Sequence, residues 1–306
     1  MTRPAYDCLN VVVPVYNEGE NIGTLLEELR AKVRTPLRIL IVYDFDEDTT
    51  CPVVREFMTR QSNITLLKNH YGRGVLNALK TGFAHAEGVV LVLMADLSDD
   101  LAQIDAMLAR INEGYDLVCG SRYAEGGKQD GGPRLKGFLS RMAGLSLHYL
   151  AGLPTHDVSN SFKMYTKEVL DRIDVESNGG FEIGMEILVK AHFLGYRVTE
   201  VPSVWHDRTA GRSRFKLARW LPKYLRWYLF ALKCRAKSLV GSGLPEVADR
   251  RLPAPLPQTT LVPTHAVDPH AAQITVRPVG VRELHRPSER HVEQDPKAAA
   301  TPSGRQ

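Results

Sequence analysis

The chain has 306 residues, 43% of them hydrophobic and 24% charged, with a formal net charge of +4. This is enough chain for one large α/β domain or two smaller ones, and the composition is that of an ordinary globular protein. So small a charge excess is no argument for nucleic acid, and no stretch approaches the roughly 18 apolar residues that a membrane-spanning helix needs. The four cysteines (Cys8, Cys51, Cys119, Cys234) are scattered, without a CxxC pair or a histidine at zinc spacing, and read as thiols in a reducing compartment. No charged-then-apolar leader is expected at the N-terminus.

Residues 9–15 read as a first strand and 16–21 as a turn. Ile22, Leu25, Leu26 and Leu29 then share one face of a helix that Asn21 would cap. Residues 37–43 read as a second strand, ending in Asp44, Asp46, Glu47 and Asp48. Pro52 suits the first turn of the next helix, on which Val53, Val54, Phe57 and Met58 share a face. Residues 64–67 form a short third strand, and Tyr71-Gly-Arg-Gly74 opens a helix that runs through Ala86. The two glycines of that opening fit a tight turn at positive φ at least as well as a phosphate cradle.

The centre of the pattern follows. Residues 89–94 are apolar without alternation, which suits a strand covered on both faces, and then Asp96, Asp99 and Asp100 appear within five positions. Carboxylates at the carboxyl end of such a strand stand where open α/β sheets bind ligands, and they favour a hard divalent cation with a phosphorylated substrate. Asp99 or Asp100 serves equally well as the cap of a helix beginning near Leu101.

Leu101, Ile104, Leu108 and Ile111 share a helix face, and residues 115–120 read as a strand ending at Ser121 and Arg122. Residues 124–134 are Gly-rich and polar, the composition of a mobile loop. A helix follows with Leu135, Phe138, Leu139, Met142 and Leu145 expected inward and Lys136 and Arg141 elsewhere. Residues 157–165 should lead into another helix, 181–194 form an amphipathic helix, and 197–202 a strand. This alternation predicts βαβ units, a parallel sheet and a nucleotide-binding crevice.

Beyond Phe215, a helical projection gathers Lys216, Arg219, Lys223, Arg226, Lys233 and Lys237 on one side and Leu217, Trp220, Leu221, Tyr224 and Tyr228 on the other. Such a helix lies in a bilayer interface, or packs on a sheet with a solvated basic face. Pro222 should start it or kink it. From Ser238 the composition shifts: ten of the eighteen prolines fall there. That makes 1–237 the expected domain and 238–306 a disordered tail, whose four histidines (His265, His270, His285, His291) fit no metal motif.

Taken together these segments resemble the family-2 glycosyltransferases of the GT-A fold, and among them the dolichol-phosphate mannose synthases and their bacterial polyprenyl-phosphate relatives. The likeness is carried by Val13-Pro-Val-Tyr-Asn-Glu18, Val42-Tyr-Asp44, Met94-Ala-Asp96, Ser121-Arg122, the pair Lys136 and Ser140, Asp157-Val-Ser-Asn-Ser-Phe-Lys163 and Arg208-Thr-Ala-Gly-Arg-Ser-Arg214. It covers roughly residues 9–235.

The resemblance implies an α/β GT-A fold, a mostly parallel central sheet with helices on both faces. It implies an inverting enzyme moving a hexose, of mannose or glucose type, from a nucleotide sugar to a polyprenyl or dolichyl phosphate. Such an enzyme would be cytoplasmic, peripheral on the inner face of the cell membrane, with an anionic membrane surface as partner and no nucleic acid. Asp96, Arg122, Arg208 and Arg214 would be catalytic, countering the charge of the departing diphosphate. Pro14, Tyr16, Glu18, Val42, Asp44 and Ala95 would hold the nucleotide, Lys136, Ser140 and Lys163 the acceptor phosphate, and Asp96, Ser98 and Asp99 an Mg2+ or Mn2+ ion.

Three departures stand out. Met94 replaces the first Asp of the family's Asp-Ala-Asp, Tyr43 replaces the first Asp of its base-binding pair, and Ser98 replaces a side chain that often aids the metal. Two alternatives stay open. One is a sugar-hydroxyl acceptor, with Asp157 or Glu182 as general base. The other is a nucleotide-sugar-binding relative without turnover.

Overall fold

The computed structural model describes residues 5–207 and 217–241. Its strands are β1 (Leu9–Pro14), β2 (Leu37–Tyr43), β3 (Ile64–Lys68), β4 (Val89–Val92), β5 (Leu117–Ser121), β6 (Lys128–Asp130), β7 (Lys163–Thr166), β8 (Val198–Pro202) and β9 (Val204–His206). Its helices are α1 (Ile22–Lys32), α2 (Thr50–Met58), α3 (Val75–His85), α4 (Ile104–Asn112), α5 (Arg134–Ala151), α6 (Lys167–Arg172), α7 (Ile183–Phe193) and α8 (Leu217–Leu239). Seven strands form one sheet in the order β3-β2-β1-β4-β7-β5-β8, parallel throughout except for β7, which runs antiparallel between β4 and β5.

The strands read as unbroken apolar runs because both sheet faces are covered. Val12, Val90 and Val92 face a core shared with Phe83, Leu147, Tyr165 and Trp227, from the side of α3, α5, α7 and α8. Their neighbours Val11, Val13, Val89 and Leu91 face the opposite core, with Leu25, Leu29, Ile104 and Met107 of α1 and α4. Close contact is built in at Gly82, where a Cβ would stand 2.2 Å from Val12 Cγ1. This architecture agrees with the expected α/β sheet.

Several local expectations are corrected. Residues 157–165 lead into the antiparallel strand β7 before the short helix α6. Within the Gly-rich segment, residues 128–130 form β6, which pairs in parallel with β9. The Asn21 side chain makes no cap bond at α1 and donates instead to Glu18.

On α5 the inward face is wrong: Leu135, Phe138 and Met142 are exposed, and Gly144, Leu147 and Ala151 are buried. Gly144 explains the choice of face. A Cβ there would stand 1.9 Å from the His156 carbonyl oxygen, so the helix lies against the 152–162 segment on its small residues.

Helix α8 turns Trp220, Trp227, Ala231 and Cys234 inward, and Pro222 lies inside it. Of its expected apolar side, Trp220 is buried while Leu221 is exposed. The helix runs to Leu239, and the expected tail beyond 241 lies outside the described residues.

Candidate functional site

Among the described residues, the nucleotide and metal candidates and Arg122 follow the ends of β1, β2, β4 and β5. The turns after β1 and β2 are laced together by Asp48, which is buried and accepts the Asn17 N–H on both oxygens (3.0 and 3.0 Å) and the Thr50 N–H (2.9 Å). Thr50 Oγ1 accepts the Glu18 N–H at 2.9 Å. Pro14 pairs in register with the buried Val42. Glu18 accepts the Asn21 side-chain amide at 2.8 Å, and its carbonyl receives the first amides of α1, so it serves the helix start. Tyr16 is 42% exposed, its ring edge-on to Phe45. Asp44 accepts from Asn69 Nδ2 at 2.7 Å and from the Gly74 N–H at 2.8 Å. The Gly72–Gly74 turn is therefore pinned to a carboxylate, and the Gly74 amide is committed to Asp44. That favours the tight-turn reading over a phosphate cradle.

The acidic stretch separates into three roles. Asp100 is the cap, accepting the Ala102 N–H at 3.1 Å. Asp96 accepts from Ser98 Oγ at 2.6 Å, so Ser98 orients the carboxylate. Asp99 is buried, accepts the backbone N–H of Met94, and leaves Oδ2 without a partner. Burial first, and the charge of Asp96 second, push its carboxyl up to about 7. Between them Leu97 has φ +60°, and with Asn17 (φ +54°) it is one of two non-glycine residues at positive φ among the described residues. Both follow adjacent strands at the same sheet edge. A bulky residue held in that region costs about 1–3 kcal/mol, so the surrounding structure must hold the turn in place.

A divalent ion at this stretch would have few protein ligands. No three His, Cys, Asp or Glu side chains converge as a metal cage among the described residues. Asp96 and Asp99, whose Oδ2 has no partner, would be the carboxylates that could hold an ion which keeps waters and takes its remaining ligands from substrate phosphates. Ala95 is buried between Asp96 and Met94, and the Met94 side chain packs on the apolar core with Phe181, Tyr165 and Ile183.

Arg122 leaves β5 into a buried network. It donates through Nε to Asp157 Oδ2 (2.6 Å), and through Nη2 to Asp157 Oδ1 (2.9 Å), Ser140 Oγ (2.9 Å) and Ser159 Oγ (3.0 Å). Asp157 is fully buried, and although burial opposes ionisation, Arg122 holds its carboxyl below the usual range. Lys136 is half-buried one helical turn before Ser140 on α5. Lys163 is not at the acceptor surface: it is fully buried, donating to the carbonyls of Val158 and Asn160, and burial pulls its pKa down. Glu182 accepts the amides of Gly179 and Gly180 at 2.8 and 2.9 Å. Both candidate bases, Asp157 and Glu182, are thus committed to structural bonds.

Arg208 and Arg214 lie outside the described residues. The chain approaches them from beside the acidic turn, where the His206 N–H bonds the Ser98 carbonyl at 3.0 Å. The guanidinium of Arg73, in the Gly72–Gly74 turn, stands over the Phe45 ring, a contact that no spacing in the sequence signals.

Comparison with known proteins places the family and the fold. The chain is 30% identical over 227 residues to the dolichol-phosphate mannosyltransferase of Pyrococcus furiosus, covering 71% of this chain and 62% of that protein, so it spans less than two thirds of that relative. It is 27% identical over 235 residues to the polyprenol monophosphomannose synthase of Mycolicibacterium smegmatis, covering 71% of this chain and 88% of that one. Its fold is similar to that of the mannosyl-3-phosphoglycerate synthase of Rubrobacter xylanophilus (TM-score 0.54, 20% identity, 78% and 79% of the two chains). The family profile described as glycosyl transferase family 2 matches residues 10–174, more than half of the chain, and the protein belongs to that family.

Proposed function

We propose that this protein transfers a hexose, mannose by preference, from a nucleotide sugar to a polyprenyl phosphate at the cytoplasmic face of a membrane, with inversion and with a divalent cation. The names of the two curated relatives favour mannose and a lipid phosphate. One observation carries the lipid half of this reading. Helix α5 directs Ser140 inward to Arg122 and, from the same turns, leaves Leu135, Phe138, Met142 and Tyr149 exposed. Helix α8 packs beside it, with Tyr228 Oη donating to Ser146 Oγ at 3.0 Å, and exposes Leu221, Leu225 and Leu229. Exposed Arg226 and Lys233 flank that leucine stripe. An apolar face with a basic border is the chemistry of an anionic bilayer surface. No helix among the described residues is long and apolar enough to cross a membrane.

In the proposed reaction a phosphate oxygen of the acceptor attacks the anomeric carbon as the bond to the diphosphate breaks, and the electron pair leaves with the nucleoside diphosphate. A phosphate monoester is already ionised near pH 7, its second pKa being about 6, so it needs no protein base. The bound state of Asp157 and Glu182 accords with that, and favours lipid phosphate over a sugar hydroxyl. When bound at Asp96 and Asp99, a divalent ion would neutralise charge on the donor diphosphate. Lys136 and Ser140 are proposed to meet the acceptor phosphate. Arg122, fixed by Asp157, supplies positive potential behind them; it cannot shed its proton, since Asp157 raises its pKa further. Arg208 and Arg214 remain proposed donor-phosphate cations.

The test is transfer from radiolabelled nucleotide sugars to polyprenyl phosphate in vesicles containing anionic lipid. Replacing Leu135, Phe138, Leu225 and Leu229 together with Ser should abolish vesicle co-sedimentation and lipid transfer while leaving nucleotide binding intact. Full co-sedimentation by that variant, or preferential transfer to a free sugar hydroxyl, would defeat the reading.

A further inference from the structure

Glu200 stands in β8, the strand at one edge of the seven-stranded sheet, in register with Cys119 of β5. Its side chain is 15% exposed, and its two oxygens are filled by donors from a single turn. Oε2 accepts Thr155 Oγ1 (2.9 Å) and the His156 N–H (2.8 Å), and Oε1 meets His156 Nδ1 at 2.5 Å. Thr155 is fully buried and passes the constraint on, since its Oγ1 accepts the Asp157 N–H at 3.1 Å. Asp157 is the counter-ion of Arg122. One carboxylate on β8 therefore fixes the turn that aims Asp157.

The same turn seats α5. The His156 ring stacks on His148 of α5, with centroids 4.1 Å and planes 29° apart. His148 Nδ1 donates to the Leu153 carbonyl at 2.8 Å, so that ring is fixed from its other side. One turn earlier on the helix, Gly144 leaves room for the His156 carbonyl, which would stand 1.9 Å from a Cβ there. One turn earlier again, Ser140 Oγ receives Arg122 Nη2 at 2.9 Å. Residues 140, 144 and 148 are four apart and share one side of the helix. Residue 156 holds that side at two points, and Arg122, itself held by Asp157, holds it at a third.

We propose that Glu200 is a positioning residue for the acceptor side of the reaction. Through the Thr155–Asp157 turn it sets the Arg122 guanidinium, and through the His156–His148 stack it sets the stretch of α5 that carries Lys136 and Ser140. This rests on the reading of those residues as the acceptor-phosphate site. Glu200 acts through the turn, because its own oxygens are committed to Thr155 and His156. Arg122, Asp157 and Ser140 form one bonded network, so a shift of the turn disturbs several contacts at once.

The test is steady-state transfer from a radiolabelled nucleotide sugar, GDP-mannose or UDP-glucose, to polyprenyl phosphate, with both substrates varied, alongside thermal melting of each variant. Glu200→Ala removes every contact of the carboxylate and should raise the KM for polyprenyl phosphate by about tenfold, within the range that misplacing a group by about 1 Å costs. The KM for the nucleotide sugar should stay within about twofold of wild type. Glu200→Gln keeps an acceptor for Thr155 and the His156 N–H and should recover most of the loss. His156→Ala keeps the Thr155 bond and removes the ring stack, so its KM for polyprenyl phosphate should fall between the two. If Glu200→Ala does not fold, the order wild type, Glu200→Gln, His156→Ala carries the test. An unchanged KM for polyprenyl phosphate in Glu200→Ala or His156→Ala, whatever the melting temperature, would overturn the proposal and leave Glu200 a residue of stability alone. Equal rises in both KM values would overturn it as well, because the acceptor side would then not be singled out. If the wild type transfers nothing to polyprenyl phosphate, the acceptor reading itself fails, and this proposal with it.

Discussion

Removing the carboxylate of Asp157 tests whether this residue is a structural counter-ion or a general base. It is fully buried and meets Arg122 through two side-chain contacts of 2.6 and 2.9 Å and one backbone contact of 3.2 Å. Asp157→Asn leaves the Arg122 guanidinium buried without its counter-charge, a loss of about 3–5 kcal/mol for a broken interior pair. At 2–4 °C per kcal/mol for a domain of this size, the melting temperature should fall by roughly 6–20 °C. The pH dependence has a definite sign. A carboxyl held below its unfolded value binds fewer protons folded than unfolded, so its stabilisation is present above about pH 4 and lost as pH falls through the folded pKa. Asp157→Asn should therefore lower the melting curve at neutral pH and flatten its acid limb. Differential scanning calorimetry between pH 3 and 8 measures both. A variant melting within about 2 °C of wild type, yet inactive with an altered pH–rate profile, would refute the counter-ion role and revive the base.

Other expectations concern placement. Gly144→Ala should push α5 from the His156 carbonyl it now nearly touches, costing about 1–3 kcal/mol in urea denaturation and raising the KM for polyprenyl phosphate through Ser140. Lys190→Met strands the fully buried Glu186, now bonded to the lysine at 2.7 Å, and should cost about 3 kcal/mol or more while loosening α8, whose Trp227 caps the same network through Ser177. Asp100→Ala should cost about 1 kcal/mol as a lost cap and leave metal-dependent nucleotide binding unchanged, whereas Asp96→Ala should abolish that binding in calorimetry.

The parallel half of the sheet was legible because its physics is local. Strands 9–14, 37–43 and 64–68 are apolar runs bounded by turn residues, and α1, α3 and α4 keep a helical period, whereas α7, expected to be amphipathic, is buried on every side from Ile183 to Ala191. The antiparallel β7 was not legible: Lys163 opens it, and only the tertiary fold explains a lysine buried there among Asp157, Asp99 and backbone carbonyls. Helix α5 misled for the opposite reason. Its widest apolar stripe suggests a core face, but the helix leaves Leu135, Phe138 and Met142 exposed and packs inward on Gly144, Leu147 and Ala151. At the site, the cluster at Asp96–Asp100 was visible, while the division of labour inside it was not. Which carboxylate caps, which is oriented and which is left unpartnered depends on Leu97's left-handed turn.

Met94 is the departure that bears most directly on the proposed metal binding. It follows β4 and packs its side chain on the apolar wall made by Leu79, Phe83, Phe181 and Ile183, while its N–H supports Asp99. Restoring the family's residue as Met94→Asp would therefore place a third carboxylate against that wall, close to Asp96 and Asp99. Burial without a partner costs such a group several kcal/mol or drives it to protonate, and the lost thioether packing adds about 2 kcal/mol. The variant should melt well below wild type in the absence of metal. If Asp99 is the second carboxylate, as proposed, the variant should gain no more from Mn2+ and nucleotide than wild type does. Thermal scans with and without 5 mM Mn2+ and a nucleoside diphosphate measure both quantities, since a ligand bound only to the folded state raises stability by RT ln(1 + [L]/Kd). A Mn2+-dependent rise larger in Met94→Asp than in wild type would show that position 94 faces the ion, and that Asp99 does not stand in for the missing aspartate.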